Sequence, residues 1–420
     1  MNQQNTFLKS TVIPSLIKNE NSSSLKSQPS PQMALVICLG LVGTLAPLSI
    51  DMYLPSFPTL REEFSASAAQ IQLTLSGYML GFTLGQLCYG PISDRFGRRP
   101  ILLCGISVYV VMSCLCAVAN DPETLAVYRF FQAVGGAAGT VLSRAIIRDS
   151  FSGAFMARAM SLMLMFILFA PMIAPVIGGY LLIWIGWRSV FWTLSICGVL
   201  AALVVVFGIR ESLPPERRIK PGISSLLGGY VLVLRHRQAL GYILSGGATF
   251  GALFAFLSGA PFVFIEYYGI APEHMGYIFS LSVVGVIAGG WLNSRLVMTR
   301  GIHEMMTIAV YLLMAGAGLI YLLIVSDIFG VWGAIVGIVV FTLPLNIINA
   351  NAAAGALEYF PDHAGTASAV VGSIRYGWGA VSGVVVGLIH DGTPMAMVWV
   401  IVGCSFISFV FLKTMVRRKA

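Results

Sequence analysis

The chain has 420 residues, of which 57% are hydrophobic and only 10% are charged, and its formal net charge is +8. Soluble domains carry about 25% charged residues, so this composition excludes an ordinary water-soluble fold. The positive residues fall in short segments between long apolar blocks, which excludes nucleic acid as a partner. The composition instead indicates a protein that is solvated by a lipid bilayer.

Twelve apolar blocks follow one another along the chain, most of them about 20 residues long, which is the length a helix needs to cross the hydrocarbon core. The blocks cover about residues 33–54, 68–92, 100–119, 124–143, 159–185, 188–208, 239–265, 274–294, 305–325, 329–356, 364–389 and 394–412. Strands of a membrane barrel would alternate apolar and polar residues over about ten positions, and these blocks do not. The sequence therefore predicts an all-α polytopic membrane protein, with twelve transmembrane helices in two six-helix bundles.

Lys and Arg residues are distributed unequally between the two ends of these blocks. If residue 1 is cytoplasmic, twenty-one of them fall on the cytoplasmic side and only Arg61 and Arg188 fall on the other side. Positive charges concentrate on the cytoplasmic side of membrane proteins, so both termini are predicted to be cytoplasmic. The asymmetry also supports an even number of spans, because one missed span would scramble it.

The polar segments divide the chain into five parts. Residues 1–32 are rich in Ser, Asn and Gln and lack the apolar core of a signal peptide, which predicts a disordered cytoplasmic tail. The longest internal polar stretch, 209–238, is predicted to be a cytoplasmic linker. It separates an N-terminal six-helix bundle (33–208) from a C-terminal one (239–412), and residues 413–420 form a basic cytoplasmic tail.

The two halves resemble each other. Residues 90–99 read GPISDRFGRR after the second block, and residues 290–300 read GWLNSRLVMTR after the eighth, with Gly97 replaced by Val297. Such a degenerate repeat is typical of transport proteins built from two parallel six-helix halves. Glycines at every fourth position, which predict close helix packing, add to this pattern. They are Gly77, Gly81 and Gly85, then Gly379, Gly383 and Gly387, and the pair Gly285 and Gly289.

Three charged residues, Asp51, Arg129 and Arg375, lie inside apolar blocks, where a charge costs roughly 2.5–3.5 kcal/mol and is a functional hypothesis. Asp51 lies about 27 Å from the inner end of its block and Arg129 about 8 Å from the outer end of its own, so they could meet. An aspartate can exchange a proton but an arginine cannot, which makes Asp51 the candidate proton carrier and Arg129 its partner. The alternatives are that Asp51 is wetted at a helix end and that Arg129 is structural or snorkels. The sequence indicates no partner for Arg375, and Glu266 is the next candidate carrier.

The segment 90–99 is a tight polar turn between two blocks. Gly90 and Gly97 allow close backbone approach, and Asp94 can face the positive end of a helix dipole. The basic residues of the turn, and the acid expected to pair with them, are Arg95, Arg98, Arg99 and Asp149. The alternative is that the turn is only a topology signal.

The fifth block contains the run 170–179, which reads APMIAPVIGG. Proline removes a backbone donor and bends a helix, and glycine lets a neighbouring helix approach. The residues concerned are Pro171, Ala174, Pro175, Gly178 and Gly179. By itself this run predicts a bent helix at an interface.

With these residues in place, the chain resembles the major facilitator superfamily. Within it, the chain resembles the Bcr/CflA drug:proton antiporters, the bicyclomycin- and chloramphenicol-resistance group, over about residues 33–412. The matching segments are the loop motif at 90–100, the fourth-span motif tied to proton coupling at 129–136, the antiporter motif at 174–179 and the subgroup signature at 49–55. The antiporter motif departs from its usual form because Ala174 stands in place of glycine.

The resemblance implies that Asp94 stabilises the contact between the second and eleventh spans in an outward-facing state, and that Asp51 and Arg129 lie at the proton and drug site. It implies a monomer in the bacterial inner membrane that exports small amphipathic drugs by antiport, driven by protons and without a cofactor. The alternative is proton-coupled transport of a natural solute, such as a metabolite, an amino acid or a peptide.

A substrate cavity on this fold is expected to be mostly apolar and aromatic. The candidate lining residues are Tyr53, Tyr78, Phe82, Phe250, Phe254 and Trp378. Packing in the helix core is the alternative for each of them. An enzyme is not predicted, because the sequence offers neither a nucleophile with a base, nor metal-ligand spacing, nor a phosphate-binding GxxxxGK[ST] loop.

Overall fold

A computed structural model describes residues 31–218 and 223–416, and this part of the chain is helical without any strand. The predictions made for residues 1–30, 219–222 and 417–420, which include the disordered tail and most of the basic C-terminal tail, lie outside the described residues. Of the described residues, eleven stretches are helical, long and apolar enough to cross a membrane.

The helices of the two halves follow the predicted blocks closely. The first half contains α1 (Pro31–Gly43), α2 (Leu45–Asp51), α3 (Phe57–Glu63), α4 (Ala68–Phe96), α5 (Arg98–Ala117), α6 (Pro122–Ser150), α7 (Gly153–Trp184) and α8 (Arg188–Gly208). The second half contains α10 (Arg237–Pro261), α11 (Pro272–Arg300), α12 (Ile302–Ser326), α13 (Gly330–Leu357), α14 (Ala364–Leu388) and α15 (Met395–Met415), preceded by α9 (Ile223–Arg235).

Helix α4 completes the set of twelve spans. It is 29 residues long but less apolar than the eleven others, because its first three turns carry polar side chains. Gln72, Thr74 and Ser76 are all buried inside the protein rather than facing lipid. The twelve-span, all-α prediction is confirmed, and the weak hydropathy of α4 has a physical cause in these inward-facing groups.

Prolines break the first span into pieces. Helix α1 ends at Gly43, and Pro47 in α2 lacks the backbone N–H that would continue the hydrogen-bond ladder. A short 3-10 turn, Leu54–Ser56, and the helix α3 follow, each with a proline in its first turn. Asp51 is thus the last residue of α2, at a break in the helix ladder within the membrane.

Helix α6 is longer than its predicted block at both ends. Asp121 caps its start by accepting the backbone N–H of Thr124 at 2.7 Å, and this hydrogen bond holds the pKa of Asp121 below its ordinary value. The helix continues to Ser150, seven residues past the predicted end. Arg144 and Arg148 therefore lie on the last turns of a helix and not in a loop.

The two halves meet mainly through two helix pairs, α4 with α14 and α7 with α11. A Cβ on Gly383 would lie 2.8 Å from the Ser76 hydroxyl, and one on Gly387 would lie 2.8 Å from the Cα of Ala69. In the same way, the glycine stripe of α4 lies directly against α6, where Gly81 meets the Phe130 carbonyl. The prediction that these glycines mark helix interfaces is confirmed.

The turns that end α4 and α11 are alike, as expected of related halves. Each is made by a glycine with positive φ, Gly97 at +100° and Gly301 at +79°. The second turn falls four residues beyond Val297, the residue aligned with Gly97 in the sequence. Helix α11 is therefore one turn longer than that alignment indicates.

We call the end of the bundle that carries residues 90–99 the motif face, and the end that carries Arg61 and Glu266 the opposite face. Helix α9 lies at the motif face within the predicted linker. Its Tyr230 hydroxyl donates to the Leu87 carbonyl of α4 at 2.9 Å, and its Gly229 lies beside Thr366 of α14. The linker thus touches both halves.

Candidate functional site

Asp51 lies between the halves. It is only 5% exposed, and it is the only Asp or Glu among the buried side chains of the described residues. It is close enough to the Tyr78 hydroxyl of its own half, and to that of Tyr376 on α14 of the other half, to interact with both electrostatically. A carboxyl group in this position can sense both halves of the protein.

Arg129 is fully buried in the first half. Its Nη1 donates to the Ser49 carbonyl at 2.9 Å and to the Gln132 side chain at 2.8 Å. Its guanidinium carbon lies 4.3 Å from the ring centre of Tyr78 and 4.6 Å from that of Tyr53. Such cation–π contacts are worth about 2 kcal/mol or more when they are desolvated.

Among the residues that the structure describes, Asp51 and Arg129 do not form an ion pair. Arg129 instead binds the Ser49 carbonyl, and Tyr78 interacts electrostatically with both charges. The two charges that the sequence predicts to meet therefore do not pair directly.

The loop motif forms an ion-pair chain at the motif face. Arg98, which is 4% exposed, pairs with Asp94 at 2.6 Å and with Asp149 at 2.9 Å. Its Nη1 also donates to the Ser93 hydroxyl at 2.6 Å. The ion pair of Asp94 therefore lies within the first half. The ion pair that joins the two halves, Arg61 with Glu266, lies at the opposite face.

Glu211 is a part of this motif that sequence reasoning missed. Its carboxylate accepts the backbone N–H groups of Arg98 and Arg99, at 2.9 and 3.2 Å, where α5 begins. A carboxylate at this position satisfies free amide donors and complements the helix dipole. Gly97 makes this possible, because a Cβ there would lie 2.6 Å from the Glu211 carboxylate and the φ of +100° is unfavourable for other residues. The signal was available, since Glu211 is the first acid after the sixth span.

The other motif residues have local contacts. Arg95 lies over the Phe96 ring at 5.2 Å, and Arg99 Nη2 donates to the Val206 carbonyl at 2.7 Å. A Cβ on Gly90 would meet nothing within 4 Å, so close packing does not explain this glycine.

The prolines and glycines of the fifth span place α7 against two partners. Pro171 and Pro175 lie inside α7, which runs from Gly153 to Trp184 without interruption. Gly178 contacts the Met52 carbonyl, directly after Asp51, and a Cβ on Gly179 would lie 2.9 Å from the Pro272 carbonyl of α11. Ala174, between them, is fully buried. The motif thus joins the Asp51 segment to the other half.

The aromatic candidates separate into two groups. Tyr53 and Tyr78 are fully buried and stack on Arg129, so they belong to the core of the first half. The rings of Phe82 and Phe250 lie on Tyr376, at 4.4 and 5.0 Å between centroids. Tyr376, the residue that joins them, was missed by sequence reasoning although it follows the intramembrane Arg375.

Phe254 and Trp378 lie on the second-half side of this group. Phe254 stacks on Phe250 at 4.7 Å. Trp378 packs against Gly247 of α10, where a Cβ would lie 2.6 Å from the indole, and its ring is 6.4 Å from that of Phe411. Trp378 is therefore placed mainly in contacts within the second half.

One ion pair joins the halves at the opposite face. Arg61 Nη1 lies 2.6 Å from Glu266 Oε2, and both side chains are about one-third exposed. Helices α7 and α11 also approach closely here, since a Cβ on Gly276 would lie 2.6 Å from the Cα of Val176. This face of the molecule is closed in the structure, and Glu266 is accounted for by its pairing with Arg61.

Gly276→Leu is expected to hold the opposite face open and to reduce transport at least tenfold, because the new side chain meets backbone of α7 that cannot rotate away. Cross-linking of an Arg61→Cys/Glu266→Cys pair with a bifunctional thiol reagent, in a background without the native cysteines, measures the closure. Gly318→Leu on α12 is the matched control, since a Cβ there meets nothing within 4 Å. Unchanged cross-linking in the Gly276 variant would contradict the expectation.

Asp94→Asn is expected to reduce transport several-fold while leaving folding intact, because Arg98 keeps its second carboxylate, Asp149. The lost interaction is worth about 0.2–1 kcal/mol, as for other partly exposed ion pairs. Glu304→Gln is the control, since Glu304 pairs with Arg300 one helical turn away in the related turn of the second half. Uptake into vesicles, normalised to the amount of protein, measures the effect, and normal uptake by Asp94→Asn would argue for a topology signal.

Comparison with known proteins decides the family. The family model of the Major Facilitator Superfamily matches residues 39–384. The chain belongs to the major facilitator superfamily. Membership makes this protein a transporter and not an enzyme.

Relatives of this transporter carry names that agree with the resemblance seen in its motifs. It is 34% identical to a bicyclomycin resistance protein homolog of Haemophilus influenzae over 91% of this chain and 96% of the relative. It is 29% identical to a chloramphenicol resistance protein of Pseudomonas aeruginosa, over 90% of this chain and 89% of the relative. The resemblance to the Bcr/CflA group is confirmed.

The fold of the transporter is also that of solved superfamily structures. It is similar to the xylose transporter XylE from E. coli in a partially occluded inward open conformation, with a TM-score of 0.74 and 13% identity over 92% of this chain and 98% of that one. At this identity the likeness concerns the fold alone.

Proposed function

We propose that this transporter exports small amphipathic drugs across the bacterial inner membrane in exchange for protons, by alternating access. The observation that carries the proposal is the position of Asp51. Its carboxyl group is buried, and it interacts electrostatically with Tyr78 of one half and Tyr376 of the other. The names of the relatives, which refer to resistance to bicyclomycin and chloramphenicol, support drugs as the substrate class.

Proton exchange needs a group that can be reached from one side and then the other. Asp51 lies at a helix break, beside a span whose Gly178 contacts the following residue, Met52. A rearrangement of α7 against α11 would therefore reposition Asp51 directly. A proton moving inward down the membrane potential supplies about 2.3 kcal/mol per 100 mV.

The test is a drug-susceptibility panel in an efflux-deficient bacterial host that expresses this chain. The expected result is a higher inhibitory concentration for some amphipathic drugs, and loss of this protection in the Asp51→Asn variant expressed at the same level. No protection against any drug would overturn the proposal of drug efflux and would favour a natural solute as substrate.

We also propose the predicted orientation, with the motif face and both termini in the cytoplasm. Arg61 and Arg188, the two positive residues assigned to the outside, both lie near the opposite face, where Arg188 pairs with Glu63. In fusions placed in the segment 209–238, a reporter that works only in the cytoplasm is expected to be active, and a reporter that works only outside it is expected to be inactive. A fusion in this segment that reports an external location would contradict the proposed orientation with twelve spans and cytoplasmic termini.

The proposal also includes the partners, the oligomeric state and the division of the chain into bundles. The bilayer, protons and one small amphipathic substrate are the partners, the protein acts as a monomer without a cofactor, and the two bundles are divided by the linker at 209–238.

A further inference from the structure

Two arginines in the middle of the protein are not used by the proposed proton exchange. Arg375 lies eleven residues into the 25-residue helix α14, about 17 Å from its start. Its guanidinium carbon lies 4.2 Å from the ring centre of Phe250, and its buried Nε has no hydrogen-bond partner. A charge held so deep in a membrane protein indicates a binding role.

Arg144 lies on α6 of the other half and faces the same space. Arg144 is solvent-exposed, and it lies one helical turn nearer the middle of the membrane than Arg148. Arg148 in turn lies beside α14, because its Nη1 is 3.9 Å from the position that a Cβ on Gly365 would take. Arg144 interacts electrostatically with both Arg375 and Tyr376. The two arginines therefore lie near each other across the boundary between the halves, with the Tyr376 phenol in electrostatic reach of both.

Neither arginine is neutralised by an acid. The ion pairs found within residues 31–218 and 223–416 include neither Arg144 nor Arg375. Asp51 interacts with the same Tyr376 but forms no ion pair with either guanidinium group in the described residues. Like charges brought together in a space of low dielectric repel each other, and an anionic group placed between them would relieve the repulsion.

We propose that Arg144 and Arg375 bind the carboxylate of the substrate, one arginine from each half. Guanidinium groups present planar pairs of donors that match a carboxylate, so two of them can hold it from two sides. The rings of Phe82, Phe250 and Tyr376 provide the adjacent apolar surface. An acidic substrate held in this way would bridge the halves.

This inference rests on the proposed exchange and adds a second requirement to the substrate. A bound carboxylate favours the protonated form of Asp51, whereas exchange needs the substrate to displace that proton. A basic group on the same molecule, directed toward Asp51, would do so by favouring the ionised carboxylate. The substrate class is therefore an amphipathic zwitterion that carries both a carboxylate and an amine.

The test compares two fluorescent probes that differ only in the acid, 3-(1-naphthyl)-L-alanine and its methyl ester, binding to the full-length protein in detergent. The parent protein is expected to bind the free acid at least tenfold more tightly than the ester. Arg144→Gln and Arg375→Gln are each expected to remove this preference without weakening the ester. Arg158→Gln, an exposed position on α7, is the control and should retain it.

Three results would overturn the assignment. They are the absence of a tenfold preference in the parent, a preference that persists in Arg144→Gln, and an equal loss of affinity for both probes. Arg144 is exposed, so the Arg144→Gln result alone decides if Arg375→Gln fails to fold. Drug protection in cells without a preference for the acid would leave the export proposal standing and remove only this inference.

Discussion

Asp51→Asn is expected to abolish proton-driven accumulation of substrate while leaving the protein folded. Asparagine has nearly the same shape, and Asp51 makes no ion pair in the described residues whose loss would destabilise them. The asparagine amide cannot carry a proton, so the membrane potential can no longer drive transport. For one proton per cycle this removes about 2.3 kcal/mol per 100 mV, an about 50-fold gradient at equilibrium.

Proton release on addition of drug, measured with purified protein in weakly buffered detergent, reads the exchange directly. The parent should release protons, Asp51→Asn should not, and Asp51→Glu, which keeps a carboxyl group, should retain part of the signal. Glu266→Gln is the matched control, since its carboxylate is paired with Arg61 at the opposite face. Proton release from Asp51→Asn equal to that of the parent would exclude Asp51 as the carrier and turn attention to Glu266.

Arg129→Lys is expected to reduce transport at least tenfold and to lower the thermal unfolding temperature, although the charge is kept. The Arg129 guanidinium lies between the rings of Tyr53 and Tyr78 and also bonds the Ser49 carbonyl. A lysine ammonium can keep one hydrogen bond but not the planar stack on two rings. Each desolvated cation–π contact is worth about 2 kcal/mol, and a tenfold change in rate or affinity needs only about 1.4 kcal/mol.

The bond to Ser49 explains why this loss should reach function. It fixes the backbone of α2 two residues before Asp51, so a change in Arg129 alters the position of the carboxyl group without touching it. Arg158→Lys on the exposed face of α7 is the control. Scanning fluorimetry and vesicle uptake, measured on the same preparations, distinguish the cases, and full uptake by Arg129→Lys would show that the charge alone suffices.

The span limits could be read from the chain because each depends on a local rule. A helix needs about 20 apolar residues to cross a bilayer, and proline or glycine interrupts it wherever the helix lies in the fold. Residue 188 begins a helix and residue 208 ends one, as predicted. The pairing of Arg98 with Asp149 was also accessible, because opposite charges at the same membrane face have few other partners.

The partners of the buried charges could not be read from the chain in the same way. Depth along the helices predicted that Asp51 and Arg129 could meet, and depth alone does not fix the direction of a side chain. In the structure Arg129 bonds the Ser49 carbonyl, and it forms no ion pair with Asp51 in the described residues. For Glu211 the sequence showed an acid directly after the sixth span, but its partners, the backbone N–H groups of residues 112 and 113 positions away, depend on the tertiary structure.

The sequence by itself determined that this protein is a twelve-span transporter of two related halves, because hydropathy, charge asymmetry and motif spacing are properties of the chain. The tertiary structure alone decided which side chains share the central space. The predicted block 124–143 leaves Arg144 outside the span and the sequence indicates no partner for Arg375, yet α6 and α14 bring both near Tyr376. Contacts between residues more than 200 positions apart depend on how the two halves are set against each other, and no local pattern in the chain records that arrangement.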